Sequence, residues 1–476
     1  MDSTNQKFTK FLLLFLIVIP LSYFVSLLAL DASKTSVGVF IMLLFILAYL
    51  FLISKVNNER VNAGILKLII FTISFPYLIQ FGGRDAFTVT TFIIYFLSAV
   101  SAIFYLNKKR KVNNNEKFTY ILPNYILIGL FFSFILNLNF IGQSLRYYIA
   151  NISGILLYFL IITLIKKRRD ILKVLKIVLF SLFIQFIISF IQIKFPAIAS
   201  IVITPFKDRY FFGDAPVVEG IIRATGTIQN YELLGEWFLI GGMISLFFVY
   251  NEIKNKRYYL YYFMCFAGLI FTKTRGAFLL FLICSTTAVI IMVISKKDKK
   301  FNSLKLVSFS VVAAFFLLLL FSDQIMLMLA RLRDYFMHRD LLTSEAINRK
   351  QVWDISFKYY LCNPSFWGRG LYNVESLNSR TGSFHSLYLT LFYKTGFWGI
   401  SAHLIFWFCL LRLTIRNLIL RFNSNLWVLR LFLLICLFAI LVDGIKIEYL
   451  RNSHTIQFAW MLFGLLIVAN REDEYR

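Results

Sequence analysis

The sequence predicts an all-α integral membrane protein of roughly fourteen transmembrane helices. Three observations predict it. Of the 476 residues, 59% are hydrophobic, with a mean hydropathy of +0.73, which is more apolar surface than a soluble domain of this length can hide from water. The charged residues, 16% of the chain, bunch between long apolar runs. Those runs approach the ~20 residues that a helix needs to cross the hydrocarbon core with every backbone group paired internally.

Taken in order, the runs place spans near 11–30, 36–54, 64–80, 86–106, 119–138, 147–165, 171–193 and 233–250. Six more follow near 258–272, 277–295, 306–322, 386–411, 426–442 and 455–470. The first run is too long for a signal-peptide core and lacks a small-residue cleavage site, so it reads as a span. With these spans, the basic linkers Lys55 and Arg60, Lys108 to Lys111, Lys166 to Arg169, Lys254 to Arg257, Lys296 to Lys300 and Arg412 to Arg421 share one side. The positive-inside rule makes that side the cytoplasm and puts both termini there. The net charge of +26 would suggest nucleic acid in a soluble protein. Here it sets orientation, and nucleic acid is not an expected partner.

The chain divides into N-terminal transmembrane helices (1–193), a first large outer loop (194–232), transmembrane helices with a short Arg275 turn (233–322), a second large outer loop (323–385) and C-terminal transmembrane helices (386–476). Long loops are usually functional or disordered, and these two are rich in aromatics, Arg, Gly and Pro, which favours order. The second reads as two amphipathic helices, about Gln324–Met337 and Ala346–Leu361, the latter with Trp353, Phe357 and Tyr360 at helical spacing. Asn363-Pro364 stops it, and Gly368-Arg369-Gly370 makes a turn. Such helices suit the headgroup zone of a bilayer.

No P-loop, dinucleotide-type glycine loop or H-E-x-x-H occurs, which argues against a cytosolic ATP-driven machine. The five Cys show neither C-x-x-C nor metal-like spacing, so no disulfide framework is expected.

The informative residues are outer-face charges that orientation does not explain: Arg223 just before the eighth span, Arg275 in the turn Thr272–Ala277, Arg349 at the start of the second loop helix, and His385 at the mouth of the twelfth span. An arginine kept near the membrane usually faces a cavity and pairs with an anion. Its rigid fork of donors matches phosphate oxygens and keeps its charge. Several beside one cavity suit a lipid-linked diphosphate. The competing reading of a single Arg is a snorkelling side chain, or a pair with a loop acid such as Asp334 or Asp340. For Arg275, held in a short Gly-containing turn, the anion reading is the stronger. His385 stands at a water-to-membrane boundary, where an imidazole could take a proton from a sugar hydroxyl near neutral pH.

Three segments resemble the O-antigen ligase and polymerase superfamily. Thr272 to Leu280 (T-K-T-R-G-A-F-L-L) resembles its S-x-S-R-G-A segment. Asn348 to Tyr372 (N-R-K-Q-V-W … N-P-S-F-W-G-R-G-L-Y) resembles its R-x-x-x-W … N-P-x-x-G-x-G loop, and Phe384 to Gly399 (F-H-S-L-Y-L-T-L-F-Y-K-T-G-F-W-G) its H-N-x-x-L … G-x-x-G segment. Order and topology match over roughly 220–400. Two positions depart: Ser386 replaces the usual Asn, and Lys394 stands where an acid is common.

The resemblance implies a GT-C-type fold and glycan transfer between lipid carriers on the outer face of the bacterial inner membrane, without nucleotide sugars. Arg275 would grip the undecaprenyl diphosphate of the donor glycan. Arg223 would do the same or help hold the acceptor, and His385 would be the general base on the acceptor hydroxyl. Arg349, Arg146, Asn230 and Tyr388 complete the expected substrate-binding set. The outer loops hold no D-x-D, and a diphosphate is a good leaving group, so neither metal nor cofactor is expected. The implied partners are undecaprenyl-diphosphate-linked donor and acceptor glycans and membrane lipid, with room for a polysaccharide chain-length regulator. Two sizeable outer loops and a composition with 54 Phe favour a Wzy-type repeat-unit polymerase over a ligase to lipid A core. A lipid-glycan flippase or other transporter fits less well, because the unusual residues sit at span ends and only seven Pro occur. A scaffold without chemistry would need neither the Arg turn nor the His motif.

Overall fold

The computed structural model describes residues 58–74, 89–105, 117–138, 140–195, 223–228, 230–252, 255–295, 365–371, 386–450 and 452–471. Eleven helices form among them: α1 (Asn58–Ile73), α2 (Val89–Tyr105), α3 (Lys117–Leu136), α4 (Ile141–Leu164), α5 (Arg168–Lys194), α6 (Tyr231–Asn251), α7 (Arg257–Thr272), α8 (Arg275–Ile294), α9 (Leu387–Leu420), α10 (Trp427–Asp443) and α11 (Ser453–Arg471). Each falls on one of the expected spans, and no strand occurs among the described residues. The runs near 11–30, 36–54 and 306–322, and the two amphipathic loop helices, lie outside them.

Seven helices, α3, α4, α5, α6, α8, α9 and α11, are long and apolar enough to cross a membrane, the architecture of a multi-pass membrane protein. Two of them, α6 and α11, are enclosed by the rest of the protein over their membrane-length apolar stretch. Lipid would offer no extra burial to drive that enclosure, so packing and interhelical hydrogen bonds hold it. Gln457 of α11 shows how. Its amide donates to Thr91 of α2 at 3.1 Å and to Ser153 of α4 at 2.9 Å, joining three helices through one buried side chain. On the rim, Ile283 and Ile290 of α8 and Ile405 and Phe408 of α9 stay exposed, as a lipid-facing surface requires.

Among the described residues, basic side chains near 168–176, 430 and 471 make contacts at one end of the bundle. Arg168 at the start of α5 bonds Asn251 at the end of α6, and Lys176 pairs with Glu252 at 2.8 Å. Arg430 Nε donates to Ala469 O, and Arg471 reaches Thr119 of α3, each at 2.9 Å. Cations placed against the carbonyl ends of helices are favoured by the helix dipole as well as by orientation.

One expected span differs from its helix. The run near 386–411 reads as a single span, yet α9 is broken at Gly396 (φ 65°, ψ −163°). The peptide groups freed by the break are taken up by residues 365–369. Phe397 N donates to Ser365 O at 3.3 Å, Trp398 N to Phe366 O at 3.1 Å, and Arg369 N to Tyr393 O at 2.8 Å. Broken helices are tolerated at membrane depth where other protein groups satisfy the backbone in this way.

Candidate active site

The end of the bundle opposite these basic side chains carries the candidate site. There α7 stops at Thr272, and Lys273 takes a left-handed conformation (φ 53°), turning its N–H back to Leu269 O and Ile270 O. Thr274 is extended, and Arg275 opens α8. The sequence places Arg275 in a turn; the structure places it on the first helical residue, half-buried, where the helix dipole favours negative charge. Thr274 gives α8 no side-chain cap, its hydroxyl pairing instead with that of Thr272 at 2.9 Å. The next residue, Gly276, lies against the tip of a lysine. A Cβ on Gly276 would lie 1.4 Å from Lys446 Nζ, which rests on this first turn.

Arg223 is brought to the same end. Ala224 N donates to Phe271 O at 3.0 Å, fastening the 223–228 segment to the last turn of α7. The Arg223 side chain is only 6% exposed, and its guanidinium stacks on the Tyr231 ring at 4.4 Å. Its Nε is buried with no hydrogen-bond partner among the described residues. A guanidinium held this way has a donor to offer an anion and little water to compete with it.

The remaining expected site residues fall as follows. Arg146 lies half-buried on the second turn of α4, beside Tyr147. Asn230 caps α6, its Oδ1 accepting Glu232 N at 2.8 Å and Leu233 N at 3.0 Å, so only its amide nitrogen is left for a ligand. Asn230→Ala is expected to cost about 1 kcal/mol of stability as a lost cap, read as a lower Tm in detergent. Activity falling further than that loss accounts for would give the amide nitrogen a ligand role. Tyr388 donates its hydroxyl to Leu441 O at 2.7 Å, which pins the start of α9 to α10. Arg349 and His385 lie outside the described residues. Ser386, the neighbour of His385, is buried at this same end, where Leu387 N donates to Gly444 O at 2.7 Å.

Lys394, which replaces an acid common in the resembled family, lies on the Tyr147 ring at 3.7 Å. Glu448, which follows α10, is a charged neighbour of the same tyrosine and accepts from Thr390 Oγ1 at 2.7 Å. An acid therefore reaches this corner from a different element.

Sequence reasoning missed a second polar cluster directly behind the Arg275 turn. Glu236 of α6 is fully buried beside Asp443, the last residue of α10, and neither of its carboxyl oxygens has a hydrogen-bond partner among the described residues. Lys446 pairs with Asp443 Oδ1 at 2.5 Å, and Oδ2 has no donor among the described residues. Tyr449 faces both acids; burial, with Glu236 and Asp443 beside it, pushes its hydroxyl up in pKa, so it stays a donor. The signal was present in the sequence as a lone Glu in an apolar run, since ionisable residues inside spans are costly and seldom idle.

The helices define a multi-pass membrane protein, with the Arg223 segment and the Arg275 turn at the same end of the bundle. Residues 260–404 match the family model of the O-antigen ligases, which bears out the resemblance to the O-antigen ligase and polymerase superfamily. The segments 272–280, 348–372 and 384–399 all lie inside the matched region, whereas Arg146, Arg223 and Asn230 lie outside it. Members of that family are membrane glycosyltransferase-like enzymes, ligases and polymerases among them. No curated protein matches the chain.

Proposed function

We propose that the protein polymerises undecaprenyl-diphosphate-linked oligosaccharide repeat units of an O-antigen or capsular polysaccharide on the periplasmic face of the bacterial inner membrane, within a GT-C-type fold. The observation that supports this reading is the hydrogen bond from Ala224 N to Phe271 O, which fastens the Arg223 segment to the last turn of α7, just before the turn that carries Arg275. In the reaction an acceptor sugar hydroxyl attacks the anomeric carbon of the donor glycan. The bond to the diphosphate breaks, and its electron pair leaves on a phosphate oxygen. Arg275 and Arg223 stabilise that growing negative charge more in the transition state than in the ground state. His385 takes the hydroxyl proton. Arg349 and Arg146 hold further phosphate or sugar oxygens. The reading routes no step through a metal.

Transfer of glycan to lipid A core is the second reading, favoured by the description of the matched family as O-antigen ligases. One assay separates the two: purified protein in nanodiscs with a lipid-linked oligosaccharide alone, then with lipid A core added. A ladder of extended products from the oligosaccharide alone is the expected result. A single transfer, and only in the presence of lipid A core, would replace the polymerase by the ligase. No glycosyl transfer in either arm would sink both.

A further inference from the structure

Arg223 sits in a segment with no regular structure, Arg223–Ile228, yet all five N–H groups from residue 224 to 228 are bonded. Ala224 N goes to Phe271 O, and Ile228 N returns to Thr225 O at 3.2 Å. The three between them go to two glutamines of α5. Gln192 Oε1 accepts from Thr225 N at 3.1 Å and Gly226 N at 2.9 Å. Gln185 Oε1 accepts Thr227 N at 3.0 Å. Their amide nitrogens are also engaged. Gln185 Nε2 donates to Ser74 O and Thr227 Oγ1, and Gln192 Nε2 lies 3.4 Å from Gly226 O.

Gln185 and Gln192 are seven residues apart and so share one face of α5. They are 0% and 3% exposed. Buried polar side chains in a span are costly unless every group is matched, and here the match is made mostly to one short segment, with Ser74 O as the other partner. Gly226 completes the fit. It has φ +54°, and a Cβ there would lie 2.5 Å from Gln185 Oε1. The two side chains thus act as a surrogate β-ladder for a segment whose only charged residue is Arg223.

We infer that Gln185 and Gln192 are positioning residues that pre-set Arg223 for a diphosphate, an inference that rests on the proposed function. A loop arginine free to wander would have to be ordered when the diphosphate arrives. Clasped in advance, Arg223 presents its guanidinium without that cost. The segment lies outside the matched residues 260–404, so the clasp belongs to this chain's own reading.

The test is a double-mutant cycle on full-length protein in nanodiscs, with undecaprenyl diphosphate as the probe. Gln192→Met keeps the volume and removes the acceptor; Gln192→Glu keeps the acceptor. Expected are a rise in Kd of about tenfold for Gln192→Met, comparable to losing one or two hydrogen bonds, and recovery of most of the affinity in Gln192→Glu. In an Arg223→Ala background the same Gln192→Met change should add little, because the residue it positions is gone. Amide exchange over 223–228 should quicken in Gln192→Met, and likewise in Gln185→Met. Equal losses of affinity with and without Arg223, or unchanged affinity despite faster exchange, would overturn the inference. Failure of the wild-type protein to bind undecaprenyl diphosphate would overturn the diphosphate reading beneath it, with the exchange data still reporting whether the clasp exists.

Discussion

Arg275→Ala is expected to abolish glycan chain extension in cells while leaving the amount of protein in the membrane unchanged. The second half of that expectation comes from the geometry. Arg275 opens α8 and is half-buried, so its truncation removes charge from a helix end without emptying the core. A helix N-terminus gains nothing from a cation of its own, since the dipole there favours negative charge. Retaining arginine at this position makes physical sense when an anion shares the site. The loss should be at least ~100-fold, the scale seen when a donor aimed at developing charge is removed. Arg275→Lys is expected to fail nearly as badly, because an ammonium cannot make the bidentate fork. Near-normal chain extension by Arg275→Lys would reduce Arg275 to a point charge. Long chains from Arg275→Ala would remove it from the chemistry altogether. His385→Ala is expected to match Arg275→Ala in the same assay if the imidazole takes the hydroxyl proton.

The positions of the described helices were legible because burial in lipid needs only length and apolarity, both visible in one dimension. The Arg275 turn was legible for a related reason: Lys273 and Arg275 interrupt two apolar runs that are otherwise continuous. Arg223 was singled out by its charge, but its burial was not readable, because it depends on Tyr231 under its guanidinium and on Gln185 and Gln192 holding the segment that follows it. Two glutamines in an apolar run look like tolerated polar residues until their partners are known. Glu236 and Asp443 are more than two hundred positions apart, and nothing local announces that they face each other. Lys394 misled in the opposite way. Judged by its own position it removes an acid, while the fold supplies Glu448 to the same tyrosine from another element.

The break in α9 was the largest feature hidden from sequence reading, and Gly396→Ala is expected to be among the most damaging single substitutions in the described region. Lys394-Thr395-Gly396-Phe397 contains no proline, so nothing marks it as a helix break. The conformation at Gly396 (φ 65°, ψ −163°) is one that only glycine adopts without strain, which costs other residues about 1–3 kcal/mol. Space is lacking too. A Cβ would lie 2.3 Å from Gly368 N, 2.4 Å from Phe366 O and 2.5 Å from Ser365 O, all of them backbone atoms with no rotamer to give. Gly368 faces the break reciprocally, since its own Cβ would lie 2.4 Å from Lys394 O. Pushing these stretches of chain apart would free the peptide groups that residues 365–369 and α9 now satisfy for each other, at a cost of about several kcal/mol for each one left in an apolar setting. The expected result is a sharp fall in Tm and yield in detergent. Activity should fall with it, because residues 387–395, which follow His385, are set between this break and the contacts of Leu387 and Tyr388 with α10. Gly64→Ala is the control: it lies in α1 with nothing within 4 Å of the added Cβ, so alanine there should be neutral or slightly stabilising. A Gly396→Ala protein that melted within about 1 kcal/mol of the wild type would mean that the 365–369 segment does not hold the break.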